Sequence, residues 1–318
     1  MYLELPEGKI ALDVRDKNTD ITFISHAHFD HMQGVKSKNI IASDETRKLI
    51  RVRKGAEVET KEYAFAKLLD SGHILGSKQL YIETSLGYSI IYTGDYQLQH
   101  SCTAKPIAIR KTDMVVIDST YPYMNVKFEE REEVEEAIIK YIKMKLEKGT
   151  IIFNSYALGK AQELIKIMNK IGIVPVVDKK IGEINKVYKE FGIDIEYGST
   201  YEDEEKFNEI TKRNFVGIVS SGNVKELARK LEKIYNKKVF TAVATGFSKI
   251  FRFDTDVQFP LSDHADIYQA SEFLDMTEAK IVYTYGKESI PMAINLTKMG
   301  HKAQPFSEAR LMLEKEKL

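Results

Sequence analysis

The run Ser25-His26-Ala27-His28-Phe29-Asp30-His31 decides how the rest of the chain is read. Three of the seven histidines fall within it, together with a carboxylate, so the clustering calls for a chemical reason. It follows Ile21-Thr22-Phe23-Ile24, a β-branched and aromatic stretch that reads as a buried strand. Residues two apart in extended backbone point the same way, so His26 and His28 can grip one ion together. Asp30 and His31 lie just past the strand end, where the chain must turn, and can face a second ion. Imidazole and carboxylate are ligands that zinc prefers. A solitary histidine on a strand is a core or surface residue; four ligand-type side chains at this spacing point to a metal centre.

The chain has 318 residues, enough for one large or two medium domains. Charged residues make up 30% and hydrophobic ones 43%, a balance that suits a soluble globular enzyme. The formal net charge is zero, so nucleic-acid binding has to come from a local basic patch and not from bulk charge. Cys102 is the only cysteine, which excludes a disulfide framework and a cysteine-rich zinc finger. A reducing, cytoplasmic setting fits that usage. No signal peptide and no apolar run of membrane-spanning length are present, so no membrane partner is expected.

Further ligand-type residues follow in the first hundred positions. Lys9-Ile10-Ala11-Leu12-Asp13-Val14 reads as a strand, and Asp13 at its end either supports a metal ligand from behind or is an ordinary turn residue. Ser43-Asp44-Glu45 reads as a helix start and Gly55 as its stop. Arg47, Arg51 and Lys54 share one face of that helix, as a solvated basic stripe or a phosphate-contacting one. Gln79–Glu83 and Tyr88–Tyr92 flank Ser85-Leu86-Gly87 and read as a hairpin. Ser71-Gly72-His73 precedes the hairpin and Thr93-Gly94-Asp95 follows it. Each sets one ligand-type residue beside a glycine, where the backbone can turn and approach an ion closely. His100, His301 and Cys102 lack such context and read as structural or surface residues.

The His-x-His-x-Asp-His spacing resembles that of the metallo-β-lactamase superfamily. The resemblance implies an α/β fold, an αββα sandwich with metals at the sheet edges. It also implies that His26, His28 and His73 form a first zinc site, that Asp30 and His31 hold a second metal, and that Asp95 bridges the two.

The second half of the chain sharpens the resemblance. Asp113–Asp118 is an apolar strand ending in a carboxylate, and Asp118-Ser119-Thr120-Tyr121 resembles the first motif of the β-CASP branch, the nucleic-acid-cleaving arm of the superfamily. A helix is expected over Phe128–Lys148, closed by Gly149. Strands then alternate with helices: strands at Ile151–Phe153, Ile173–Val177 and Phe215–Val219, helices at Ala161–Lys170, Ile181–Phe191 and Val224–Tyr235. Such alternation argues for a parallel sheet covered by helices. Within it, Asn154-Ser155-Tyr156-Ala157-Leu158-Gly159-Lys160-Ala161-Gln162-Glu163-Leu164 closely resembles a β-CASP run. A glycine turn, a helix N-terminus and Lys160 suit a phosphate, or make a tight turn with a solvated lysine. Lys238–Thr245 reads as a strand returning to the first domain. Ser262-Asp263-His264-Ala265-Asp266 matches the second β-CASP motif, Ser-x-His-x-Asp, and Ile281–Tyr285 before Gly286 is where the third is expected. The domains expected are thus 1–121 with 238–318, a discontinuous metallo-β-lactamase domain, and 122–237, an inserted β-CASP domain.

The third motif departs from the pattern. Where the RNA-cleaving members carry a metal-ligating His, this chain has Tyr285. A neutral phenol with a pKa of about 10 is a poor zinc ligand beside imidazole. The resemblance therefore implies one tightly held Zn2+ and a second, weaker site open to Zn2+, Mn2+ or Mg2+, with Tyr285 contacting substrate instead. Artemis-type DNA-repair nucleases also lack this His. Thr245-Gly246-Phe247 resembles their Thr-Gly-Trp segment, and the short length resembles that of ligase-associated DNA exonucleases. Archaeal mRNA 3′-end processing factors share the branch. The expected activity is a zinc-dependent nuclease on single-stranded DNA or RNA, first a DNA-repair exonuclease and alternatively an RNA-processing enzyme. A small-molecule hydrolase and a non-catalytic binding subunit are more remote readings. By resemblance His264 is the general acid, Asp118 orients it and Asp30 joins the catalytic set. Gly159, Lys160, Ser262 and Tyr285 are the substrate-binding candidates. No protein partner is indicated.

Overall fold

Strand alternation decides which side chains meet in this chain. In a computed structural model that describes residues 1–199, 201–220, 222–306 and 310–312, the fold is mixed α/β. It divides into two units, one of Met1–His100, Ala104–Lys127 and the described residues from His264 onward, the other of Ser101–Thr103 and Phe128–Asp263.

The first unit holds two sheets. One contains β1 (Tyr2–Leu5), β2 (Gly8–Leu12), β3 (Ile21–Phe23), β4 (Ile40–Ile41) and, at the far edge, Arg310–Met312. After α1 (Asp44–Lys54) come β5 (Ala66–Asp70), β6 (Lys78–Glu83), β7 (Ser89–Tyr92) and β8 (Met114–Asp118) of the second sheet, which Ile281–Tyr285 and Ala303–Pro305 complete. The expected hairpin is present, with Leu80 opposite Tyr92 and Ile82 opposite Ile90. Leu3, Ile10, Leu12, Ile21 and Phe23 of the first sheet pack with Leu80, Ile82, Ile90, Tyr92, Met114 and Val116 of the second. The opposite-facing Val115 and Ile117 pack instead with Ile267, Phe273 and Leu274 from the helix Ile267–Thr277 and with Met292 and Leu296 from the helix Ser289–Lys298. A strand buried on both faces reads as an unbroken apolar run, as Met114–Ile117 does. Its period-2 alternation turns Asp118 to the side of Met114 and Val116. Tyr285 is the register partner of Asp118 on the neighbouring parallel strand and faces the same way.

The second unit is built from α2 (Arg131–Leu146), β9 (Thr150–Asn154), α3 (Lys160–Asn169), β10 (Val176–Val177), α4 (Lys179–Glu190), α5 (Glu204–Thr211), β11 (Val216–Val219), α6 (Val224–Tyr235), β12 (Val239–Ala244) and β13 (Val257–Phe259). Its five strands run in the order β10-β11-β9-β12-β13, every neighbouring pair parallel. The expected parallel sheet with interleaved helices is therefore observed, but its limits differ from the reading of 122–237. The strand at Lys238–Thr245 does not return to the first unit. As β12 it is the central neighbour of β9, with Phe240 opposite Ile151 and Ala242 opposite Phe153. An apolar strand buried on both faces carries no mark of which sheet accepts it, so only pairing decides. From the numbering here on, β14 is Ile281–Tyr285, β15 Ala303–Pro305, β16 Arg310–Met312, α7 Ile267–Thr277 and α8 Ser289–Lys298. Among the described residues no helix is long and apolar enough to cross a membrane.

Candidate metal and acid–base site

The metal-type residues converge at the ends of the strands of the first unit. β3 closes at Phe23, so His26 and His28 stand on the irregular segment beyond it and not on the strand itself. His26 Nε2, His28 Nδ1, His73 Nε2 and an oxygen of Asp95 offer four ligand atoms within 4.8 Å of one another. His26 Nε2 lies 2.9 Å and His73 Nε2 3.1 Å from His28 Nδ1. Asp95 Oδ2 lies 3.3 Å from His26 Nε2, 3.7 Å from His73 Nε2 and 3.4 Å from His31 Nε2. His31 Nε2 in turn lies 3.6 Å from Asp30, whose side chain is largely exposed. The sequence spacing of these six residues thus corresponds to one spatial cluster. Gly94 and Gly72 both take positive φ, 55° and 79°, next to Asp95 and His73. A Cβ at Gly72 would come within 2.2 Å of the Gln97 carbonyl oxygen, so the turn that presents His73 requires glycine.

Hydrogen bonds behind the cluster orient the rings. Asp13, itself in the left-handed region at φ 57°, is buried at the end of β2. Its carboxylate accepts from Ser25 N at 2.7 Å, Ser25 Oγ at 2.6 Å, Tyr92 Oη at 2.8 Å and His31 Nδ1 at 2.8 Å. His31 therefore carries its proton on Nδ1 and turns Nε2 toward Asp95. Ser25 Oγ lies 2.9 Å from His26 Nδ1, which leaves His26 Nε2 facing the cluster in the same manner. Electrostatics agree with ligand roles. Burial, with His31 nearby, holds His26 well below the usual histidine range, so it stays neutral. Burial alone would lower His31 too, but the Asp95 and Asp13 carboxylates outweigh it and bring His31 up to about 10. Asp95 is held well below its ordinary value: burial opposes ionisation, and His31, His264 and His26 overcome it. A site that converges imidazole nitrogens on a buried carboxylate has the donor set a divalent cation requires.

A second pair adjoins the cluster. His264 Nδ1 lies 3.1 Å from Asp118 Oδ2, and His264 Nε2 is 3.9 Å from Asp95 Oδ2. Asp118, Asp95 and His264 form a further group of closely spaced potential ligands. The hydroxyl of Tyr285 is buried, and its ring lies 5.0 Å from that of Tyr92. Burial first, then the carboxylates of Asp95 and Asp118, push the Tyr285 phenol well above its ordinary value, so it is a neutral hydroxyl.

The other substrate-binding candidates belong to the second unit. Lys160 was expected to meet a phosphate, yet it is buried at 3% exposure and its Nζ lies 2.6 Å from Asp263. Arg131 joins the same buried group, 2.8 Å from Glu163 and 3.5 Å from Asp263, and donates to the Ser262 carbonyl oxygen at 2.9 Å. Gly159 N donates to Gln162 Oε1 at 2.8 Å, closing the N-terminus of α3. These groups are engaged within the second unit, at the place where the sequence suggests a phosphate cradle of Gly159 and Lys160. Glu163 also accepts from Ser101 and Thr103, a buried-network role the sequence reading missed. The basic stripe on α1 is likewise spoken for: Arg47 pairs with Asp44, Arg51 with Glu57, and Lys54 donates to the Met32 carbonyl oxygen.

No protein-family model matches the chain. Pairwise likeness is nevertheless extensive, and the chain belongs to the metallo-β-lactamase superfamily, in its β-CASP branch. It is 25% identical over 299 residues to a "Probable DNA ligase" of Opitutus terrae, covering 90% of this chain and 29% of that protein. It is 29% identical over 213 residues to an "RNase J-like protein" of Methanocaldococcus jannaschii, covering 52% of this chain and 50% of that one. An "Uncharacterized protein in lig 3′region" of Acidianus ambivalens is 32% identical over 129 residues, 40% of this chain and 89% of the relative. The chain thus spans half or less of the first two relatives. Among solved structures, an Enterococcus faecalis V583 protein of unknown function superposes with a TM-score of 0.61 at 14% identity, over 95% of this chain and 81% of the other.

Proposed function

We propose that the protein is a zinc-dependent phosphodiesterase that hydrolyses single-stranded nucleic acid, and that it is a DNA exonuclease of repair type. The observation that carries this reading is the convergence of His26, His28, His73 and Asp95, with the His264–Asp118 pair 3.9 Å from the same carboxylate. A small-molecule hydrolase has no need of that pair. The fold reading is the αββα sandwich with a β-CASP insert; the helix–sheet–sheet packing of the first unit and the parallel sheet of the second support it.

His26, His28, His73 and Asp95 would hold one zinc, and Asp30, His31 and Asp95 a second, weaker ion, for which Mn2+ or Mg2+ can substitute. When bound, the metals would lower the pKa of a water toward about 7 and offset charge developing on the phosphate. The residues of the chain supply the rest. Asp118 accepts a hydrogen bond from Nδ1–H of His264 and fixes the tautomer. His264 in its protonated form then gives the Nε2 proton to the departing oxygen. Tyr285, neutral and aimed to the side of Asp118, donates a hydrogen bond to a phosphate oxygen. Asp13 keeps Nε2 of His31 directed into the site.

The likeness to a protein named a probable DNA ligase, and to one from a lig 3′ region, favours DNA; the likeness to an RNase J-like protein keeps RNA as the second reading. A cytoplasmic setting accords with the single cysteine. Two measurements test the proposal. Metal analysis of protein purified without chelator is expected to find zinc, and its absence removes the reading. Turnover on matched single-stranded DNA and RNA oligonucleotides, labelled at either end, is expected to favour DNA; faster RNA cleavage transfers the assignment to RNA processing.

A further inference from the structure

We infer that Phe29 is a stacking platform for the nucleobase next to the scissile phosphate. This rests on the nuclease reading above. Phe29 sits between His28 and Asp30, two of the proposed ligands, and 51% of its surface is exposed. Large aromatic side chains are ordinarily withdrawn from water, and here burial would be available to a residue flanked by the buried Ala27 and Met32.

The ring is held in place from behind. Arg53, in the last turn of α1, sets its guanidinium 4.2 Å from the Phe29 ring centroid. The same guanidinium is anchored, because Nη1 donates to the Ala27 carbonyl oxygen at 2.7 Å. The next residue, Lys54, donates from Nζ to the Met32 carbonyl oxygen at 3.0 Å. Two consecutive cations of one helix turn therefore clasp the ligand loop at both ends, and the first of them also backs the aromatic ring. A guanidinium over a ring face adds attraction and stiffness. An aromatic side chain held this way, beside a phosphate-cleaving centre, has the chemistry that takes a base by its π-face. Such stacking tolerates any base, which suits an enzyme that digests a strand irrespective of sequence.

The test is a comparison of Phe29→Leu and Phe29→Trp with the wild type, on oligonucleotides carrying either a normal nucleotide or an abasic tetrahydrofuran residue on one or the other side of the cleaved bond. Zinc content is measured in each protein. The expected result is a KM raised roughly tenfold by Phe29→Leu at unchanged zinc content, with full recovery in Phe29→Trp. Removing the base on one side of the bond should weaken the wild type by a similar factor, and Phe29→Leu should add nothing on that substrate. Equal losses on normal and abasic substrates, an unchanged KM, or a loss of zinc in Phe29→Leu each overturn the inference. Failure of the wild type to cleave any oligonucleotide would instead remove the nuclease reading itself.

Discussion

His264 and Asp118, 146 positions apart in the chain, meet with Nδ1 and Oδ2 3.1 Å apart. The carboxylate arrives at the end of β8 and the imidazole just before α7, so their pairing depends on the two ends of the first unit coming together. Replacement of His264 by Asn is expected to lower kcat by 100-fold or more, in the range general-acid catalysis contributes, with zinc content unchanged. Asp118→Asn should lower kcat as well and move the alkaline limb of its pH profile to lower pH, because a general acid fails as it deprotonates and the carboxylate beside Nδ1 of His264 is gone. Steady-state kinetics with metal analysis checks both; loss of zinc in His264→Asn would make that residue a ligand instead.

His31 yields a pH dependence. In metal-free protein its folded-state value of about 10 lies above the unfolded one of about 6.5. Its contribution to stability is therefore complete below pH 6.5 and is lost as pH rises from there toward 10. Metal-free protein should show a melting temperature that falls across that interval. Metal-loaded protein should not, since a cation would take the place of the Nε2 proton of His31 while Nδ1–H stays on Asp13. Calorimetry with and without chelator distinguishes the two curves.

Tyr285→His puts an imidazole opposite Asp118 in β14, facing the side of the ligand cluster. The second metal is expected to bind at least tenfold more tightly in this variant, read by titration of the zinc-depleted protein with Mn2+ or Zn2+. Tyr285→Phe should leave metal binding as it is and slow turnover.

Lys160 separates a structural role from a substrate role. Lys160→Met takes the nearer cation, at 2.6 Å, from the buried Asp263, and the variant should be destabilised by about 3 kcal/mol. Denaturant unfolding reads that loss. KM for oligonucleotides should remain that of the wild type at temperatures where the variant is folded; a raised KM would restore the phosphate-contact role.

Much of the site could be read directly from residue order. Ligand-type residues at His26, His28, Asp30 and His31 lie so close in sequence that any backbone brings them to one place, and glycines beside His73 and Asp95 mark where the chain bends toward them. Conversely, Lys160 and the α1 stripe look identical in sequence whether they face solvent, phosphate or a carboxylate. Their partners, Asp263, Glu57 and the Met32 carbonyl, are fixed by packing. Arg53 carries no mark in the sequence for the same reason, being one more basic residue on a basic helix.

Local sequence alone determined the metal-type cluster, the hairpin that separates His73 from Asp95, and the alternation of strands and helices in the second unit, because each depends on contacts or periodicities within a few residues. Only the tertiary structure decided that β12 joins the sheet of the second unit, that Lys160 is an internal cation, and that Asp13 gathers Ser25, Tyr92 and His31. Those outcomes rest on which groups lose water together, and burial is a property of the assembled core that no short stretch of chain contains.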